Sequence, residues 1–363
     1  MTRSLHVILM YILTQLALIF FLYPGDIIES TTESHWIAIL MGFGIYFAFL
    51  WIFMKGMSYG QGRDMVRLYL RMGKLPAAIL LLPVLYYFII ETALTIRAYS
   101  EIMTIVFLSS TPLWAIMLIL LLGSTFLAAK GLRTILGTGF LVACFGLPLI
   151  LFIYIASFQN VDWRYIYPLL SNHFSFLTTP SYYKSFFVYS GSFLFLGFVQ
   201  PYYKFQIRSL LVTSLCLLPL LLSSVYIPVL TFGEATARTL FFPYIVVLDI
   251  LQIDWLMFER VAVFFLLSLI SMMLLFLALT IWQSVRIASQ FLPKIPSTYL
   301  LIGIVSGVFV ICQSITSWEN VHQLFVWNIW VRFYILIVVP VTVFCLGRHA
   351  LRGASDDKNG SNC

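Results

Sequence analysis

One apolar stretch, residues 76–108, carries three charges that lipid would not tolerate without a reason: Glu91, Arg97 and Glu101. Counted from Pro76 at 1.5 Å per residue, Glu91 lies roughly 22 Å along a helix, inside a hydrocarbon layer about 30 Å thick. A carboxylate at that depth with no charged neighbour in sequence is a candidate for function. Its chemistry is that of a proton relay when protonated at rest, or of a polar gate when bonded to a group on another helix. Arg97 and Glu101 share a helix face at i, i+4 spacing, and Arg97 lies roughly 31 Å along, near the far interface. These two predict a structural ion pair, with the arginine reaching toward the headgroups.

A second set of residues suits small-solute binding. The stretch 183–203 holds Tyr189, then Ser190-Gly191-Ser192 and Gly197, between Lys184 and Lys204. Glycine tolerates unwound backbone and serine can satisfy the polar groups that unwinding frees. The same small residues equally suit close helix packing. At the end of the first apolar stretch, Tyr23-Pro24-Gly25 is the only candidate break, since Leu16 to Leu22 holds no glycine. The predicted ligand-binding residues are therefore Tyr23, Pro24, Gly25, Tyr189, Ser190, Gly191 and Ser192.

Other chemistries find no residues to perform them. Cys144, Cys216, Cys312 and Cys345 lie singly in apolar stretches, where small buried hydrophobes are expected, and the ending Ser361-Asn362-Cys363 is not a prenylation box. The run from Gly56 to Gly62 lacks the Lys-Ser/Thr of a phosphate loop. No acyltransferase His/Asp pair and no paired Cys/His spacing is present. The sequence predicts no enzyme, no cofactor and no metal.

The elements that position these residues follow from composition. The chain of 363 residues is 61% hydrophobic and 10% charged, against roughly 25% charged in soluble domains. Ten stretches meet the length of a bilayer-spanning helix: 5–23, 36–54, 76–101, 112–129, 134–157, 183–203, 208–230, 258–284, 298–316 and 325–346. The whole of 1–363 reads as one integral membrane domain, ending in a polar tail at 347–363. Of the 21 Lys and Arg residues, most fall in alternate gaps, among them Lys55, Arg63, Arg67, Arg71, Lys74, Lys130, Arg133, Arg286 and Lys294. Arg164, Lys184, Arg238, Arg260 and Arg332 fall on the other side. This asymmetry predicts that both termini are cytoplasmic, and it makes the net charge of +7 a matter of lipid rather than nucleic acid.

Two connections are longer than the rest. In 55–75, Arg63, Arg67 and Arg71 recur at helical spacing, with Met65, Leu68, Tyr69 and Met72 on another face, which predicts a surface helix at the headgroups. In 231–257, the apolar run Leu240 to Leu251 is too short to span and is interrupted by Pro243, which predicts a re-entrant or surface helix on the opposite side. Each follows the second member of a half of five spans. Together with the long third and eighth stretches, they predict an all-α polytopic fold with a five-plus-five inverted repeat, its halves about 5–157 and 183–346.

At these residues the chain resembles the B subunits of spore germinant receptors, spore germination permeases within the amino acid/polyamine/organocation transporter superfamily. Arg97-Ala98-x-x-Glu101 is followed by Thr111-Pro112. Asn160-Val161-Asp162 leads to Tyr167-Pro168-Leu169-Leu170, and Gly233-Glu234 precedes Pro243. Glu259-Arg260 opens the eighth span, Trp318-Glu319-Asn320 lies between the last two, and His35-Trp36-Ile37 opens the second. The set covers about residues 5–346. It departs from the family's pattern by lacking glycine at Ala17 and Ile19 and an acidic residue from Ser185 to Tyr203.

The resemblance implies a ten-helix, LeuT-like fold in the inner membrane of a spore. It implies binding of a small germinant, typically an amino acid, beside an A-type membrane subunit and a C-type lipoprotein. The alternatives are an amino-acid or polyamine permease, proton-coupled through Glu91, and a water or ion pore.

Overall fold

The computed structural model describes residues 2–60, 62–106, 108–167, 174–200, 202–203, 206–251 and 261–360. It is an all-α polytopic membrane protein, 84% helical. The first predicted span is two helices, α1 (Thr2–Ile19) and α2 (Tyr23–Ser30), bent by 50° across the turn between them. Pro24 falls in the first turn of α2, where its missing N–H is no loss and its fixed φ starts a new helix. No glycine is needed. Tyr99 donates its hydroxyl to the carbonyl of Ala17, satisfying one of the groups that the break exposes.

Then come α3 (His35–Tyr59), the short α4 (Met65–Leu70), α5 (Lys74–Val106), α6 (Leu113–Lys130) and α7 (Leu132–Ala156). The surface helix expected in 55–75 is α4, one and a half turns capped by Asp64, whose Oδ1 accepts the Arg67 N–H at 2.8 Å. Met65, Val66, Leu68 and Tyr69 are buried against the protein rather than in lipid, while Arg67, Arg71 and Met72 are exposed.

The stretch 183–203 is not one span. It is three short helices, α8 (Pro180–Lys184), α9 (Phe187–Gly191) and α10 (Phe195–Val199). Beyond them lie α11 (Ile207–Phe232), α12 (Glu234–Ala237) and α13 (Pro243–Asp249), the last being the short helix expected around Pro243. The chain ends with α14 (Val261–Phe291), α15 (Ser297–Ser314), α16 (Trp318–Trp327), α17 (Ile329–Phe333), a π turn (Tyr334–Val338) and α18 (Val339–Gly360).

Among the described residues, eight helices are long and apolar enough to cross a membrane, or nine when α1 and α2 count as one span. The third and eighth stretches are the longest, 33 residues in α5 and 31 in α14. α14 is the axis of the molecule: 78% of its most apolar window is buried, against 17% for α15 at the periphery. It packs against α1, α5, α6, α7 and α15.

Helix α18 runs on through the polar stretch after residue 346 to Gly360. Two expectations are corrected. Helix α16 starts at Trp318, about two turns before the apolar count placed the last helix; Ser317 caps it through Asn320. Of the cysteines, Cys312 is buried, but Cys144, Cys216 and Cys345 are exposed on the outside of the bundle. The apolar periphery faces lipid rather than water, so a thiol there needs no burial. Cys363 and the Glu259-Arg260 pair lie outside the described residues.

The closest helix crossing joins α3 to α18. A Cβ on Gly56 would meet the backbone N and Cα of Phe344 at 2.6 Å, and Gly347 abuts the Gly56 carbonyl. Small residues let two backbones touch where lipid gives no hydrophobic drive. Gly56→Leu is expected to destabilise the protein by about 2 kcal/mol or more by forcing that crossing apart. Gly44→Leu, where nothing lies within 4 Å, should leave the melting temperature of the purified protein unchanged.

Candidate functional site

The breaks in the first span and in 180–199 meet, and the polar side chains of both turn toward one another. From α1, Gln15 donates to Ser192 Oγ at 2.6 Å and to the Tyr46 hydroxyl of α3 at 2.8 Å. Tyr46 in turn bonds the Tyr11 hydroxyl one turn before Gln15. From α2, the Tyr23 hydroxyl lies 3.1 Å from that of Tyr189 on α9. From α5, the Tyr87 hydroxyl lies 2.9 Å from Ser190 Oγ. Tyr46 and Tyr189 stack with ring centres 5.1 Å apart. All these groups are buried.

Local structure explains why the chain opens here. Ser190 and Ser192 bond back to the carbonyls of Phe187 and Val188, at 3.4 and 3.1 Å, as α9 ends. The amide of Gln283 on α14, oriented to satisfy both neighbours, accepts the Phe195 N–H at 3.0 Å and donates to the Leu279 carbonyl at 3.2 Å. A side chain from the central helix thus caps the start of α10. Gly191 sits where a Cβ would be 2.8 Å from the Tyr87 hydroxyl and 3.1 Å from the Phe276 ring. Gly42 leaves the same kind of room for the Tyr189 ring, at 3.3 Å.

Of the residues predicted to bind, Tyr23, Tyr189, Ser190, Gly191 and Ser192 come together. Pro24 and Gly25 belong to the start of α2, and Gly25 faces the Phe241 carbonyl and Pro243 instead. Tyr11, Gln15, Tyr46 and Tyr87 join the cluster without having been singled out. The signal was present for two of them, because Tyr11 and Gln15 repeat at i, i+4 within a span otherwise suited to lipid.

Glu91, one turn beyond Tyr87 on α5, has a charged partner that sequence reasoning placed elsewhere. Its Oε2 lies 3.3 Å from Arg332 Nη2 and accepts from Asn328 Nδ2 at 3.4 Å. Arg332 is 1% exposed and Glu91 fully buried. Arg332 is therefore enclosed by protein rather than by water. Its other nitrogen, Nη1, donates to the carbonyls of Lys184 (3.2 Å) and Phe325 (3.4 Å), and the guanidinium lies 4.6 Å from the Phe325 ring centre.

Lys184 is likewise buried within the bundle. Its Nζ lies 2.8 Å from Asp26 Oδ1, 3.7 Å from Glu29 and 3.1 Å from His322 Nδ1. A chain of charges thus ties α2, α8, α16, α17 and α5 together just beyond the hydroxyl cluster. Arg97 and Glu101 form the expected pair, but Arg97 is 2% exposed and donates through Nε to the Ile315 carbonyl at 3.1 Å. It binds α5 to the end of α15 rather than reaching for headgroups.

A broken first span and a run of short helices facing each other across a buried polar cluster, in a bundle with an axial helix, are features of solute-handling membrane proteins. No curated protein matches the chain. The family model for spore germination proteins does, over residues 3–321, which takes in both breaks, the hydroxyl cluster and Glu91 and stops short of Asn328 and Arg332. With that much of its length matched, the chain belongs to the spore germination protein family, as a germination-related membrane permease.

Proposed function

We propose that the protein is the B subunit of a spore germinant receptor, binding a small germinant, an amino acid, at the meeting of the two helix breaks. The observation that supports this most is the Gln15–Ser192, Tyr23–Tyr189 and Tyr87–Ser190 set of contacts, in which each bond joins one half of the chain to the other. A ligand entering there exchanges these bonds for its own. It thereby shifts the balance between closed and open arrangements, provided it binds one better than the other.

Counting 180–199 with the following turn as an interrupted span brings the number to ten. The interruption then falls in the first member of each half, with α4 and α13 each following the second member. This supports a five-plus-five inverted repeat. The positive side of the molecule is cytoplasmic, with both termini there, and the membrane is the inner membrane of the spore. An A-type membrane subunit and a C-type lipoprotein are the partners that read the change.

The second reading, a proton-coupled permease, draws on the unpartnered Oε1 of buried Glu91. One assay separates them. The protein alone, in liposomes under a proton gradient, is expected to take up no labelled amino acid while its melting temperature rises with added germinant. Robust uptake that Glu91→Gln abolishes would replace the receptor reading with the permease.

A further inference from the structure

At the end of the bundle where α6 meets α7 and α14 meets α15, a cavity of about 830 Å³ opens, well away from the hydroxyl cluster. Its wall carries Lys130, Arg133 and Arg286 and, among the described residues, not one carboxylate. No ion pair holds Lys130 or Arg133 among the described residues, and Lys130 Nζ rests 5.5 Å over the Phe126 ring, whose outer face is exposed. Arg286 spends one nitrogen on Asp64, at 2.9 Å, and Asp64 does not line the cavity. Three cations share one concave space, which raises the local potential more than the same charges spread over a flat face.

The backbone adds to this charge. α7 begins in the wall after Gly131, whose φ of +86° turns the chain in, and α15 begins there at Ser297 after Pro296. Neither capping residue has a side-chain acceptor for the first N–H groups of its helix. Ser297 and Thr298 bring hydroxyls to the same wall. Tyr299, next to Thr298, and Ile302, one turn on, are exposed apolar side chains.

We infer that this cavity is a binding site for a phosphate group, held by Lys130, Arg133 and Arg286 with the hydroxyls of Ser297 and Thr298. The charge set suits a phosphomonoester or phosphodiester, whether on an anionic lipid headgroup or on free phosphate. The positive-inside bias accounts for basic residues in this region, but not for their gathering around a concave space in which only Arg286 has a carboxylate partner among the described residues.

Binding to the purified full-length protein tests the site, with phosphatidylglycerol retained in nanodiscs and inorganic phosphate as the two probes. Both are compared with phosphatidylcholine. Lys130→Gln with Arg133→Gln is expected to weaken binding about 30-fold, the worth of two headgroup-facing cations. Thr298→Trp keeps every charge and crowds the cavity beside the Ser297 and Thr298 hydroxyls, so it should weaken binding as well, whereas charge attraction without a site would ignore it. Retention of the lipid alone assigns the site to a headgroup, and binding of phosphate assigns it to a soluble anion. Wild-type affinity in Thr298→Trp, or no preference for either probe over phosphatidylcholine, overturns the inference.

Discussion

Arg332→Met is expected to destabilise the protein by about 3–5 kcal/mol, because it leaves the Glu91 carboxylate buried without its counter-charge. The pair is enclosed on every side, at 1% and 0% exposure, so water cannot compensate for the lost guanidinium. Replacing both partners, Glu91→Leu with Arg332→Met, should restore most of the loss, since the desolvation of two charges is removed together with their attraction. Melting of the purified protein in detergent compares the two variants with the wild type. Equal stability of the single and double variants would mean that Arg332 is not what holds Glu91. The single Arg332 change should also loosen α8, because Nη1 bonds the Lys184 carbonyl there.

The second large effect is expected at Gly191. Even a Cβ at this position meets the Tyr87 hydroxyl at 2.8 Å and the Phe276 ring at 3.1 Å. An indole there must displace Tyr87 from Ser190 and push α9 away from α14. Spores carrying Gly191→Trp should hold normal amounts of the protein in membranes, yet need about 5- to 150-fold more germinant for a half-maximal response, the size of effect that overpacking by about 1–3 kcal/mol produces. Gly303→Trp is the matched control, as its surroundings are open within 4 Å. A normal dose-response in Gly191→Trp spores would remove this position from the binding site.

The membrane class, the short helices after the second and seventh stretches and the weak point at Ser190 to Ser192 were all legible in the sequence. Each rests on a local property: apolar length, a proline within a short run, or small residues in a row. The break in the first span was half legible. Pro24 marked where α2 begins, but the absence of glycine concealed that a turn stabilised by Tyr99 from another helix can do the same work.

The charge pairing was not legible. Lys184 and Arg332 are separated in sequence from Asp26 and Glu91 by 158 and 241 residues, so no spacing rule connects them. A rule that assigns every cation near a span end to the water side misplaces both. The one available hint was Asn328 followed by Arg332 at i, i+4 on an otherwise apolar helix, a polar stripe that needs a polar neighbour.

The π turn at Tyr334–Val338 has a mechanical consequence. It divides the last span between two sets of allegiances: α18 is clasped to α3 through Gly56 and Gly347, while α16 and α17 carry His322, Asn328 and Arg332 toward α8 and α5. A widened turn loosens the regular hydrogen-bond ladder between the two portions. A tilt begun in α16 and α17 can therefore be absorbed there as a swivel, leaving α18 standing as a post.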